Sequence, residues 1–241
     1  MFQPGASSSD VIARCLARPS RSRSALTFPS HTTSPSMAAL SAADAAQADA
    51  NGKALRAQLR AQRLTLPPLR TVHGSVLDAA AHTVAQQCNC CTVRSHGLSA
   101  AVQAKWPWAD VYHRRAREGS RNLAIEADRP FPGQVQVELN PQQAGFPRRV
   151  AALFGQWAPG KPGRFPTYPG AAHETADSRL YWFFTALTQL AESMGPEDLI
   201  AMPHGVGCGL AGGHWPDYRL AIARVQHQAE RTGPGMVLYR I

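Results

Sequence analysis

The sequence predicts an α/β fold, a three-layer mixed sheet flanked by helices, from three observations. Short apolar runs alternate with helix-period segments over the last two thirds of the chain. One run alternates strictly, QVQVEL from Gln134 to Leu139, as a half-buried strand does, whereas RVAALFGQ from Arg149 to Gln156 is nearly continuous and reads as a more buried strand. A glycine-rich loop joins a buried strand to a helix start near the C-terminus.

In order along the chain, Thr83 to Asn89 (TVAQQCN) reads as a short strand. A polar turn from Cys90 to Gly97 follows, then a helix over LSAAVQAKW that Pro107 stops. After the two strands at 134–139 and 149–156 comes a loop rich in Gly and Pro. Residues 176–194 (ADSRLYWFFTALTQLAESM) place apolar groups at helical spacing, and Gly195-Pro196 ends that helix. Leu199 to Pro203 (LIAMP) is a buried strand. A helix from Pro216 carries Asp217 in its first turn, favourable to the helix dipole. Met236 to Ile241 (MVLYRI) closes the sheet. Alternation of strands and helices puts helices on both faces.

Composition divides the chain into three parts. Residues 1–36 hold Arg14, Arg18, Arg21 and Arg23 among many serines with one acid, Asp10, the composition of a transit peptide. That reading implies a plastid or mitochondrion. The alternative is a plain tail, or an upstream extension with translation starting at Met37 rather than Met1, and then a cytoplasmic protein. Residues 37–70 are rich in Ala, Gln, Leu and Arg with sparse apolar positions, which predicts a solvated helical arm ended by Pro67-Pro68 and dispensable for the fold. Residues 71–241 form the domain. Through Arg70 nine basic residues face three acids, a net +6, and the remainder carries +3 of the total +9. A basic nucleic-acid-associated module is therefore the weakest of the readings, because the folded part is close to balanced. No run approaches the ~18 apolar residues that a membrane span needs. Cys15, Cys88, Cys90, Cys91 and Cys208 are odd in number and lack paired spacing, so they read as reduced thiols. No second C-x-x-C or His pair accompanies C-x-C-C, and no metal is expected.

Function is carried by loops beyond the carboxyl ends of strands, where ligands of open α/β sheets sit. In MPHGVGCGLAGGHWPD, Gly205, Gly207, Gly209, Gly212 and Gly213 let backbone N–H groups approach an anion with no Cβ in the way, which suits a diphosphate. A tight turn needing positive φ is the alternative for the same glycines.

The run LIAMPHGVGCGLAGGHWPDYRLAI resembles the second signature of macro domains, the ADP-ribose-binding family. It is most similar to the branch of terminal ADP-ribose protein glycohydrolase and ADP-ribose phosphate phosphatases. Upstream, VHGSVLDAAAHTVAQQCNCCTVRSHGLSAAVQAKWPWADVYHRR resembles that family's opening, and the two together cover about residues 72–241. The resemblance implies a macro-domain-like fold in which Gly205, Val206, Gly207, Cys208, Gly209 and Leu210 hold the diphosphate and distal ribose. It places Asn89 and the loop to Gly97 on the other side of that ribose, and Gly74, Ser75 and Val76 at the adenine. The family's usual adenine-binding Asp is Ser75 here, which leaves adenine selectivity open.

That branch implies hydrolysis of an ADP-ribosyl linkage or of ADP-ribose phosphate. Its lysine and acid positions, however, are Gln156 and Ala211, neither of which supplies an amine or a carboxylate. Substitutes are Lys161 and His96, with Asn89 positioning a water or the ribose; His204, His214 and Cys208 stand nearby, and an imidazole titrates near neutral pH. Hydrolysis is the expected activity, and a non-catalytic ADP-ribose reader is the alternative. The expected partner is ADP-ribose or an ADP-ribosylated macromolecule, nucleic acid only as such a substrate, with no cofactor and no membrane.

Overall fold

The computed structural model describes residues 40–142, 145–229 and 233–241. The transit-peptide reading of residues 1–36 and the alternative start at Met37 lie outside the described residues. The elements run α1 (Ala42–Ala61), β1 (Arg70–His73), β2 (Thr83–Asn89), α2 (Leu98–Lys105), β3 (Val135–Leu139), β4 (Arg149–Gln156), α3 (Ala176–Glu192), β5 (Leu199–Pro203), α4 (Trp215–Ala229) and β6 (Gly235–Arg240). One six-stranded sheet results, in the order β1-β6-β5-β2-β4-β3. All neighbours are parallel except β3, which pairs antiparallel to β4 at the edge.

The central strands bury both faces, as continuous apolar runs predict. Ala85, Leu153, Ile200, Met202 and Leu238 pack against α3 and α4 through Leu180, Phe183, Leu187 and Ile222. Their neighbours Val84, Val150, Ala201 and Val237 pack on the opposite face with Val102 and Trp106 of the α2 region. The three-layer mixed α/β arrangement read from the sequence is therefore the one observed. α3 is held at its start by a reciprocal cap: Ser178 N donates to Thr175 Oγ1 and Thr175 N donates to Ser178 Oγ, both at 3.0 Å.

Two features depart from the sequence reading. β1 was not expected; its four residues pair with β6, so the sheet begins at Arg70. The second is α1. It is a helix as predicted, but it is packed rather than solvated. Its buried stripe, Ala45, Ala48, Gly52, Leu55 and Leu59, has helical spacing built mostly from small residues, which is why its apolar face looks sparse in sequence. A Cβ at Gly52 would stand 2.0 Å from the carbonyl oxygen of Asp177, so glycine is what lets α1 approach the start of α3. Arg60 closes the contact through a two-pronged bond to Asp217, Nε to Oδ1 at 3.0 Å and Nη2 to Oδ2 at 3.1 Å. Arg56 reaches Asp177 at 2.7 Å and Asp217 at 3.0 Å. Burial alone would raise the Asp217 carboxyl, yet hydrogen bonds from Arg60 and His214 and the charges of Arg60 and Arg56 hold it below the ordinary carboxylate value.

Candidate functional site

The carboxyl ends of β2, β4 and β5 open into a cavity of about 350 Å³, within the usual range for small-molecule sites. Its floor is Gln87, Asn89, Gln156 and Pro203, and its walls are three loops: His96–Ser99, Pro159–Gly160, and the glycine-rich loop from Gly205 to Ala211 without Cys208. The site straddles β2, from which the chain runs to β4 on one side and later, through α3, to β5 on the other. A larger cleft, about 510 Å³, lies between α1, α3 and residues 131–134. It touches neither strand ends nor the glycine-rich loop, so the smaller cavity is the candidate site.

The glycine-rich loop turns on itself. Gly213 N donates to Gly207 O, Gly212 N to Gly209 O and Cys208 N to Gly205 O. Among the described residues no acceptor takes the N–H groups of Gly207, Gly209, Leu210 or Ala211. These donors border the cavity, and three are consecutive, an arrangement suited to an anion. Gly207 has φ of 73° and packs so tightly that a Cβ would lie 2.4 Å from Gln87 Oε1 and 2.5 Å from the Tyr218 ring. Opposite, Leu210 meets Gly97, where a Cβ would be 3.1 Å from its Cδ1, so the two loops touch above the cavity.

Two buried arginines hold these loops. Arg179, at the start of α3 and 1 % exposed, donates to the carbonyls of Ala158 (3.1 Å), Ala211 (2.9 Å) and Gly160. Its charge is met by Glu174, 2.6 Å from Nη2, whose carboxylate also accepts from the N–H groups of Trp157 and Ala158. One guanidinium thus ties the loop after β4 to the loop after β5. Arg115 does the same for the loop after β2: Nη1 donates to the carbonyls of Asn89, Cys90 and Thr92, and the guanidinium lies 4.6 Å from the Tyr112 ring centroid. Arg179→Met is expected to cost about 3–5 kcal/mol, because it leaves the Glu174 carboxylate buried and uncompensated. Urea unfolding of Arg179→Met beside Arg179→Met/Glu174→Gln checks this. A double mutant no more stable than the single would refute it.

The predicted residues divide. Asn89, His96, Gly97, Gly205, Val206, Gly207, Gly209 and Leu210 border one cavity, together with Gln156 and Ala211. Asn89 is occupied structurally: Oδ1 accepts from Thr92 N at 2.8 Å, and Nδ2 lies 3.4 Å from Tyr112 Oη. Gln156 accepts from Gln87 Nε2 at 2.9 Å and donates to Ala158 O at 3.1 Å, so the position implied for a lysine is taken up by an amide chain across the floor. Gly74, Ser75 and Val76 are not among the lining residues. Val76 is buried in the core, and the Ser75 hydroxyl accepts from Leu77 N, capping a 3-10 turn. Lys161 is exposed beside Gly160, its stem against Gly212, and does not line the cavity. The His204 ring meets that of Trp215 in a tilted contact at 4.6 Å, burial lowering its pKa, and His214 is bound to Asp217 at 3.0 Å.

Cys208 is a correction as well. Its side chain packs against the main core rather than the ligand space, and burial first, with the Asp217 charge, pushes the thiol up to about 12. Cys208 is half-buried and Cys88, Cys90 and Cys91 are fully buried, so the turn after β2 starts in the interior and only then, from Arg94 to Gly97, becomes the exposed polar segment expected. In a Cys15→Ser background, iodoacetamide at pH 8 is expected to leave the native protein unmodified over hours and to react on unfolding. Rapid alkylation of Cys208 in the native state would contradict the burial. Among the described residues no His/Cys/Asp/Glu group has a metal-holding arrangement, and no helix is long and apolar enough to cross a membrane.

Gln87, Glu174, Arg115 and Arg179 escaped the sequence reading. Only Arg179 left a signal, a charge on the apolar stripe it shares with Phe183, Leu187 and Leu190.

No protein-family model matches the chain, and no curated protein matches it. Solved structures with a similar chain course include the macrodomain of Mycobacterium tuberculosis DarG, at 18% identity over 70% of this chain and 96% of that one, TM-score 0.46. The macrodomain of Thermus aquaticus DarG is similar at 19% identity over 72% and 97%, TM-score 0.43. A Trypanosoma brucei macrodomain in complex with ADP-ribose is similar at 13% identity over 70% and 62%, TM-score 0.44.

Proposed function

We propose that this chain is an ADP-ribose-binding protein of macro-domain type, taking free ADP-ribose or an ADP-ribosyl group of a macromolecule into the cavity over β2. The observation that carries it is the row of free N–H donors from Gly209 to Ala211, with Gly207, along a cavity of small-ligand size. A diphosphate placed there accepts several N–H bonds at once, which a phosphate needs, because the helix dipole alone contributes only about 0.3–1 kcal/mol. The resemblance of the 199–222 segment to the family's second signature supports the same placement. Calorimetric titration is expected to give micromolar affinity for ADP-ribose and much weaker binding of AMP, which has no diphosphate. Absence of heat with ADP-ribose at millimolar concentration would overturn the reading.

Recognition without turnover is the form that the lining favours: among the described lining residues none is Asp, Glu or Lys. Hydrolysis of an ADP-ribosyl linkage or of ADP-ribose phosphate is the second reading. It is favoured by His96, an exposed imidazole on the cavity wall that could act as general base. If turnover on protein-, nucleic-acid- or phosphate-linked ADP-ribose occurs, His96→Ala is expected to lower the rate about 10²- to 10⁴-fold with little change in ADP-ribose affinity. Full turnover in that variant would remove His96 as the base.

A further inference from the structure

Asp217, in the first turn of α4, is gripped from two sides. From the glycine-rich loop comes His214, whose Nδ1 lies 3.0 Å from Oδ2 and whose carbonyl accepts from the N–H groups of Asp217 and Tyr218. From α1 comes the two-pronged bond of Arg60, and Arg56, itself held by Asp177, faces the same carboxylate at 3.0 Å. The Asp217 side chain is only 3% exposed, whereas that of Arg60 is 57% exposed. Burying a carboxylate beside an arginine is a poor way to add stability, because the loss of hydration consumes most of the attraction. Leu55 and Leu59 already join α1 to the core that holds Ile222 and Val225 of α4. What the ion pair adds is direction, since a guanidinium fork bonded through two nitrogens fixes the plane of the carboxylate it holds.

The residue after Asp217 is the platform of the glycine-rich loop. A Cβ at Gly207 would stand 2.5 Å from one edge of the Tyr218 ring, and a Cβ at Gly213 would stand 2.8 Å from the other. Both glycines therefore rest on that ring, and Gly213 N donates to Gly207 O across it. Phe183 supports the ring from α3, with centroids 4.8 Å apart. The free donors from Gly209 to Ala211 are spanned between these two glycines. In contacts this close, a change in the tilt of the first turn of α4 moves Tyr218 and the loop with it. Among the described residues α1 contributes nothing to the lining of the cavity.

We propose that Arg60, acting through Asp217, is a positioning residue for the glycine-rich loop: α1 sets the orientation of the first turn of α4 and, with it, that of the N–H donors over the cavity. The control of the loop stands whatever the cavity holds. Its effect on ADP-ribose affinity rests on the function proposed above.

Hydrogen exchange of the full chain, followed by NMR, tests this at the bonded amides of Cys208, Gly212 and Gly213, with the bonded amides of β2 and β4 as the internal reference. Arg60→Met is expected to speed exchange of the loop amides about tenfold, to leave the strand amides unchanged, and to weaken ADP-ribose binding by a similar factor. Arg60→Lys, which keeps the charge without the fork, is expected to give intermediate loop rates, and it supplies the comparison should Arg60→Met not fold. Arg224→Met removes another tie between the two helices, Arg224 Nη1 to Gln58 Oε1 at 2.9 Å, and is expected to leave the loop at its wild-type rates. Loop rates unchanged in Arg60→Met, or raised equally in loop and strands, would overturn the proposal, the second by making Arg60 a stabiliser of the whole fold. So would an equal loosening of the loop in Arg224→Met. Because exchange is read without ligand, a wild-type chain that ignores ADP-ribose removes the reading of the cavity and leaves the role of Arg60 to be decided by the exchange rates.

Discussion

Gly209→Glu is expected to abolish ADP-ribose binding while leaving the melting temperature of the protein unchanged. Gly209 lines the cavity, has no atom within 4 Å of the position of a Cβ, and does not require a positive φ, so a side chain is accommodated there without moving the loop. The added carboxylate would occupy the diphosphate position. Two like charges about 4 Å apart in a partly screened site repel by about 4 kcal/mol, roughly a thousandfold in affinity. Gly207→Glu should also lose binding, but for a mixed reason, since any Cβ there collides with Gln87 and Tyr218 and a left-handed backbone must carry it. Calorimetry with ADP-ribose and a thermal melt on both variants separate the two cases. ADP-ribose bound by Gly209→Glu with wild-type affinity would remove the diphosphate from this loop.

A chain beginning at Leu69 is expected to lose cooperative unfolding altogether, contrary to the expectation from composition that residues up to 70 are dispensable. Without α1, the faces of α3 and α4 around Leu180, Leu187 and Val225 lose Leu55 and Leu59, and Asp217, almost fully buried, loses both of its arginines. Leu59 alone is 0 % exposed, and its replacement by Ala should cost about 2–5 kcal/mol. That is a large part of a typical total of roughly 5–15 kcal/mol. Urea titration followed by tryptophan fluorescence checks both. A sharp transition at the wild-type midpoint in the truncated chain would show that α1 is an appendage after all.

Local pattern alone determined β2, β3, β4, α3, β5 and the glycine-rich loop, because each is specified by residues within a few positions of one another. Period-2 alternation marks QVQVEL, a continuous apolar run marks RVAALFGQ, and clustered glycines between strand and helix mark a backbone free to meet an anion. The tertiary structure decided what depends on residues far apart. The role of α1 rests on small side chains whose burial has meaning only once α3 lies 2.0 Å from where a Gly52 Cβ would be. β1 is four residues whose only strand partner among the described residues is β6, more than 160 positions later. Cys208 and Ser75 look available in sequence, but Cys208 packs against the core and the Ser75 hydroxyl is taken up by the N–H of Leu77. The arginines reveal the limit most clearly. Arg114, Arg115 and Arg117 are near neighbours of one kind, yet Arg114 pairs with Glu138 on the sheet edge, Arg115 is buried clamping three carbonyls, and Arg117 stays exposed. A guanidinium is buried only where several fixed acceptors converge on it, and that convergence is a property of the folded loops rather than of the residues beside it in the chain.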